Sequence, residues 1–468
     1  MCAVKLTYPG VYVEEVSTLA PSVAEIESAI PAFVGYTEKA EGPGGSLTMI
    51  PTKISSYAEY SLFFGGAPTE AADSVTLKAT DDGSGSYTIT AYPVPSKQSK
   101  NVLANAVHHF YDNGGGDCYI VSVGDTPDDP SATELVSGVE LVEQIDEVTL
   151  LAVPEAQFSS YTTVVQAMVN QAAKLGDRFA IIDPSTITAA AISPLTSAIT
   201  TDTDIIKTAV SASGKDLSYG AAYYPNLVTT YPLNVDVSTL KFASDSPALA
   251  GVAVSTYPAS SSVYKRVEAA LETCYGFLPP SGAVCGMIAK VDANKGVWKA
   301  PANESLSSVT NPSVLLSDAQ QGNLNIDTTS GKSINVIRSF PGYGTTVWGA
   351  RTFYGNDNEW RYVNVRRFFM VVEESIKKSI HWAVFEPNTA ATWVKVQAMI
   401  ENYLFQKWRD GALAGAKPEQ AYQVNVGLNK TMTSVDILEG KMIVEILMAV
   451  ARPAEFILLR FEQMMQTS

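Results

Sequence analysis

Histidine is scarce in this chain: there are three in 468 residues, His108, His109 and His381. A serine hydrolase needs a histidine base, held by a carboxylate, beside an activated serine. His108 and His109 precede a glycine run, and no GxSxG nucleophile elbow occurs anywhere, so hydrolase chemistry has no sequence support. Cysteine is almost as rare. Cys2, Cys118, Cys274 and Cys285 form no CxxC pair, which argues against a zinc site or a disulfide framework and for reduced thiols. His108, His109 and Cys118 lack a regular ligand spacing. The acidic pairs Asp81-Asp82 and Asp128-Asp129 read as solvated loops rather than calcium ligands. Gly331-Lys332-Ser333 looks like the end of a phosphate loop, but Ile326 stands where its first glycine is needed. Gly342 and Gly344 open a GxGxxG that Val347 breaks. No cofactor is therefore expected. No apolar run reaches about 18 residues, so no membrane span is expected. The N-terminus has no basic segment followed by an apolar one, and synthesis in the cytoplasm is expected.

Positive charge is also short. The net charge of −16 argues against a nucleic-acid binder. The deficit is uneven. Residues 1–337 hold 17 Lys+Arg against 35 Asp+Glu, whereas residues 338–468 hold 15 against 13. An acidic two-thirds beside a near-neutral third suggests parts that face different surroundings.

What the chain does have is alternation of helices with short apolar strands. Ile30–Gly35 reads as a buried strand, Asn101–Asp112 as a helix stopped by Gly114-Gly115-Gly116, and Cys118–Val123 as a strand. Val148–Val153, a helix over Tyr161–Leu175 and a strand over Arg178–Ile182 continue the pattern, which indicates an α/β core, α+β over the whole chain. Ser74–Tyr92 alternates around a Gly-Ser turn and predicts a surface hairpin within an insertion at about 68–100. Residues 1–21 read as an arm: a Tyr8-Pro9-Gly10 turn, then β-prone Val11, Tyr12, Val13 and Val16. Fully extended, such an arm reaches roughly 70 Å.

The C-terminal third holds the densest pattern, VWGARTF, WRYVNVRRFF and WAVFEPN within 347–388. Trp348, Arg351, Trp360, Arg366, Arg367 and Trp382 combine large apolar anchors with guanidinium forks, the mix that buried protein contacts use. Phe369–His381 predicts a helix with Glu–Lys pairs at i,i+4. A second helix is expected over Ala390–Arg409, with Trp393, Val396, Ile400, Leu404 and Trp408 as its apolar stripe. Ala421–Val426, Lys441–Val450 and Glu455–Gln463 read as strands. The last carries Phe456 and Leu458 on one face and Ile457, Leu459 and Phe461 on the other, so it needs cover on both sides and would leave an open edge in one subunit.

PGVYVEEV, NAVHHFYDNGGGDCYIV, VDANKGVWKAPAN, VWGART and PAEFI together resemble the contractile tail sheath proteins of phages, phage-tail-like bacteriocins and extracellular contractile injection systems. The resemblance runs in patches over nearly the whole chain and is weakest at 68–100 and 185–215. It implies a linking arm at 1–21, an outer domain with a subtilisin-like core at 22–335, an inner tube-facing domain at 336–452, and a linking strand at 453–468. It also implies that neighbouring subunits exchange the arm strands, here Val11–Val16 and Phe456–Phe461. Hexameric discs would stack around an inner tube, above a baseplate and below a terminator or cap protein, with sheath paralogues as possible companions. Lys395, Lys407 and Arg409 would face the tube. The particle would form in the bacterial cytoplasm and leave by lysis. The alternatives that the residues leave open are an α/β enzyme and another tail or baseplate component.

Overall fold

The structure, a computed structural model, describes residues 22–83, 86–127, 129–185 and 195–460. It divides into two compact units, one of residues 27–371 with 452–460, the other of 22–26 with 372–451.

The larger unit is built on a nine-stranded sheet. Its strands are β1 (Pro31–Thr37), β2 (Thr52–Ile54), β3 (Cys118–Asp125), β4 (Leu150–Ala152), β5 (Phe179–Ile182), β6 (Gly220–Tyr224), β7 (Glu304–Ser305), β8 (Ile334–Phe340) and β9 (Gly344–Val347). They lie in the order β7-β9-β8-β6-β5-β4-β1-β3-β2. From β8 to β3 every pairing is parallel, and the antiparallel partners sit at the two ends. Parallel strands need helical crossovers, and covering both faces makes their sequences continuously apolar. β1, β4, β5 and β6 are buried along their whole length.

Neighbouring side chains of β1 show the two layers. Phe33 packs edge-on to Phe110 of helix α1 (Leu103–Asp112), with ring centroids 5.3 Å apart. Val34 points the other way, toward Gly138 of the Ala132–Val142 helix, where an added Cβ would come within 2.5 Å of it. Helix α2 (Tyr161–Leu175) packs beside that second helix. On the α1 side lies α3 (Ser281–Lys295), which begins SGAVCG. A Cβ at Gly282 would meet the Ala106 carbonyl oxygen at 2.2 Å, and one at Gly286 the Phe110 oxygen at 2.3 Å. Two glycines four apart therefore let α3 cross α1 at backbone distance, which explains a small-residue pattern in an otherwise apolar helix.

The hairpin expected over 74–92 is present as Val75–Asp81 paired with Tyr87–Pro93. It is not a lone surface insertion. Leu77 and Ala79 share a second core with Leu240, Phe242, Val254, Val267, Leu271 and Cys274, so residues 235–274 supply the other half of a small subdomain. β8 and β9, read from the sequence as the start of the C-terminal domain, complete the main sheet. The compact units divide at 371/372, not at 336.

Two buried carboxylates follow successive parallel strands. Glu155, after β4, accepts from the backbone N–H of Tyr36 at 2.8 Å and of Leu103 at 3.3 Å. Asp183, after β5, accepts from the N–H of Ser281 at 2.7 Å. Burial outweighs these bonds and pushes Glu155 up to about 8 and Asp183 up to about 7. A folded-state value above the ordinary 4.5 means that folding takes up a proton between those two values. The stability that Glu155 contributes is full below the unfolded value and is lost as pH rises through the folded one. Melting temperature should therefore fall between about pH 5 and about pH 9, and Glu155→Gln should flatten part of that slope. Identical slopes for wild type and variant would show that Glu155 does not titrate in this window.

Candidate inter-subunit interface

The smaller unit is built from the C-terminal half of α4 (Val363–Ser379), helix α5 (Ala390–Arg409) and two strands, β10 (Tyr422–Val426) and β11 (Val444–Met448). α5 has the limits that its periodicity predicts. α4 starts six residues before the expected Phe369, so Arg366 and Arg367 are helical; Glu374 pairs with Lys377 at 3.1 Å and Lys378 at 3.6 Å.

β10 and β11 run antiparallel, with Tyr422 opposite Met448, Val424 opposite Ile446 and Val426 opposite Val444. Among the described residues no third strand joins this ribbon. Val396, Ile400 and Leu404 of the α5 stripe are buried, Trp393 and Trp408 half-buried, and the Gln397 amide donates to the Val424 oxygen at 3.2 Å. Val424 and Val426 are buried, yet Val444, Ile446 and Met448 are only half-buried, and Leu447 on the opposite face is 49% exposed. The apolar strand expected over Lys441–Val450 is thus shorter and less covered than its sequence demands. A two-stranded ribbon is marginal alone, and an apolar strand with a single partner is a template for another.

The described residues nearest both termini are held in place at particular side chains. Residues 24–26 run along α4, where the Ala24 and Ile26 amides donate to Ser379 Oγ and Ser375 Oγ, each at 3.1 Å. Lys407 belongs to this root. It is 8% exposed and its Nζ donates to Glu25 at 2.5 Å, so it lies on the buried side of α5 and not, as expected, beside Lys395 and Arg409 on the open face. The reason is local: Lys407 follows Met399 and Tyr403 at i+4 spacing, on the side that α5 buries. Val11, Tyr12, Val13 and Val16 lie outside the described residues.

At the other end, 452–460 forms no strand, contrary to expectation. Phe456, Ile457, Leu458 and Leu459 are 71, 79, 78 and 70% exposed. A segment apolar on both faces forms a strand only against a partner, and the described residues supply none; Phe461 lies outside them. Its root is nevertheless held. Arg351, 3% exposed, grips the Glu455 carboxylate with Nη2 at 2.6 Å and Nε at 3.0 Å. The Asn325 amide donates to it at 2.7 Å and the Tyr362 hydroxyl at 3.2 Å. Burial pushes this carboxyl up, but the bonds from Arg351 and Asn325 outweigh it and leave it below the usual range.

The exposed face of α5 carries Lys395 and Arg409, but also Val394 at 65% and Phe405 at 40% exposure. The helix is therefore apolar on two sides, and the second side has no cover among the described residues.

The motif residues of 347–388 divide. Arg366 is sandwiched between the rings of Tyr219 and Trp360, 4.3 and 4.5 Å from their centroids. Arg367 grips Asp292 at 2.6 and 3.0 Å and the Ser28 oxygen at 2.7 Å. Trp360 is buried against Phe369. Trp348 is not core: it is 42% exposed, beside Phe340 at the edge of the main sheet, and Trp382 is half-buried in a turn. His109 is buried, donating to the Ser307 oxygen at 3.0 Å, and His108 is stacked between Tyr57 and Tyr231. Among the described residues no cluster of three His, Cys, Asp or Glu side chains is placed to hold a metal ion. No helix among them is long and apolar enough to cross a membrane.

Comparison with known families shows where the chain belongs. Residues 118–353 match the phage tail sheath protein central domain, and 355–464 match the phage tail sheath C-terminal domain. The chain belongs to the phage tail sheath family. It is 32% identical to a chain of the anti-feeding prophage helical sheath in its contracted state, with a TM-score of 0.66, covering 98% of this chain and 99% of that one. It is 31% identical to a chain of the contracted sheath complex of an extracellular contractile injection system, PVC, with a TM-score of 0.63 and 98% of both chains covered. The six-fold symmetrised anti-feeding prophage baseplate contains a further match at 32% identity, with a TM-score of 0.62, covering 98% of this chain and 99% of that one. The tail sheath protein of Enterobacteria phage T4 is 24% identical over 150 residues, which is 32% of this chain and 22% of the T4 protein's length. The two matched family domains meet near 354, whereas the compact units of this sheath chain divide inside α4. Sequence reading missed the Glu25–Lys407 and Arg351–Glu455 contacts; the one cue to the second was a lone acid opening an apolar run.

Proposed function

We propose that this chain is a structural subunit of a contractile sheath, in which six copies form a disc and discs stack around an inner tube above a baseplate. The observation that carries this reading is the ribbon β10–β11, left half-covered among the described residues of a chain whose Phe456–Leu459 segment is apolar and exposed. Arm strands from neighbouring copies fill the ribbon, Phe456–Phe461 from one and Val11–Val16 from another. The contracted state of the related sheaths and the six-fold symmetry of a related baseplate support this arrangement. Contraction then needs no nucleotide: a metastable interface, worth a few kcal/mol per subunit, is released disc by disc and drives the tube through a target envelope. The uncovered side of α5, with Lys395, Arg409, Val394 and Phe405, faces the tube. Assembly takes place in the bacterial cytoplasm, and a terminator protein closes the far end.

Electron microscopy of the chain co-expressed with its tube and baseplate proteins tests this. Ridged cylinders that enclose tubes are expected, and Lys395→Glu with Arg409→Glu should give cylinders without tubes. Dispersed subunits even with tube and baseplate present would refute the sheath reading, and tube-filled cylinders from the double variant would refute the assignment of α5.

A further inference from the structure

Close to each end of the described chain stands a carboxylate held by a buried cation. Glu25 meets Lys407, whose side chain is 10% exposed, and Glu455 meets Arg351, whose side chain is 3% exposed. The first pair lies in the smaller unit and the second in the larger. At the C-terminal root the change is abrupt: Glu455 takes donors from Arg351, Asn325 and Tyr362, and Phe456, Ile457, Leu458 and Leu459 are at least 70% exposed. Arg351 itself is fixed by donating to the Asn325 and Gly355 carbonyls at 3.2 and 3.1 Å. The N-terminal root adds two serine hydroxyls, Ser375 and Ser379, that accept backbone amides.

We infer that Glu25–Lys407 and Glu455–Arg351 are arm clips, positioning pairs that fix where each exchanged strand leaves the subunit. The inference rests on the strand-exchange reading above. A free arm loses conformational entropy when it reaches a neighbour; a clipped root has already lost part of it, which raises the effective concentration of the strand at the acceptor ribbon. The clips also stay within one subunit, so subunit bodies can slide in contraction while the departure points hold. Charge explains the choice of residue. A carboxylate in a fork of donors is directional and strong, whereas an apolar root would compete with the arm's own apolar tip for the same surfaces.

The test uses full-length chains with Glu455→Ala and Glu25→Ala, singly and together, and with residues 453–468 deleted as a control. The single variants leave a buried cation without its carboxylate and should lower subunit melting by a few degrees while the subunit stays folded at the assembly temperature, where each raises the concentration needed for sheath formation about tenfold. The swap Glu25→Lys with Lys407→Glu should restore assembly that Glu25→Ala loses. Glu455→Gln, which keeps volume and the Asn325 contact, is read beside Glu455→Ala so that an assembly defect is separated from the loss of melting temperature. Normal assembly of the 453–468 deletion would refute strand exchange itself. Failure of that deletion together with wild-type assembly of the Glu25 and Glu455 variants would refute the clips alone.

Discussion

Subunits lacking residues 1–18 should fold, remain monomeric and form no sheath at concentrations where the full chain assembles completely. The described subunit is closed without them: residues 24–26 are anchored to Ser375, Ser379 and Lys407, and Val23 is buried. What the deletion removes is the β-prone run Val11–Val16, the segment proposed above as the strand offered to a neighbour. A strand of that length forms about five backbone hydrogen bonds at roughly 1 kcal/mol each, a factor of several thousand in affinity at every junction. Repeated around a disc, that loss is not recovered by raising protein concentration. Sedimentation velocity reports the monomer and electron microscopy the absence of cylinders. Normal cylinders from the truncated chain would show that the N-terminal segment does not link subunits.

Arg367→Ala should cost the larger unit about 3–5 kcal/mol, the usual effect of breaking a buried ion pair from one side. Arg367 and Asp292 have side-chain exposures of 3 and 5%, and the guanidinium holds both carboxylate oxygens of Asp292 and the Ser28 carbonyl. Removing the cation leaves a charged carboxylate with little water and one hydroxyl donor, Ser28 Oγ at 2.7 Å. α4 would lose its tie to α3 at the point where the chain crosses between units. Thermal melting of the monomeric subunit should fall on the order of 10 °C. Arg367→Lys keeps the charge but not the fork, and should fall between wild type and Arg367→Ala. Melting unchanged in Arg367→Ala would mean that Asp292 finds another partner, and the pair would not be what holds α4.

Much of the architecture was legible in the chain. Periodicity placed α2 and α5 at their observed limits, and continuous apolar runs marked β1, β3, β4 and β5, because strands buried on both faces must be apolar throughout. The same rule misled at the C-terminus. Glu455–Phe461 has the composition of a buried strand, but composition reports what a segment needs, not whether its own chain supplies it. Lys407 was misread because a cation on an amphipathic helix is ordinarily solvated, and only the fold brings Glu25 to it across 382 residues.

The sequence by itself determined the α/β core, the amphipathic helices, the family through VDANKGVWKAPAN, VWGART and PAEFI, and the presence of β-prone, apolar segments at both ends. Tertiary structure alone decided that 235–274 completes the 75–93 hairpin, that β8 and β9 belong to the main sheet, that Trp348 lies at the surface, and that Lys407 pairs with Glu25 and Arg351 with Glu455. The division has a physical cause. Periodicity and hydrophobicity are local properties written within ten or twenty residues, whereas an ion pair depends on which distant segments the fold brings to within 3 Å of each other.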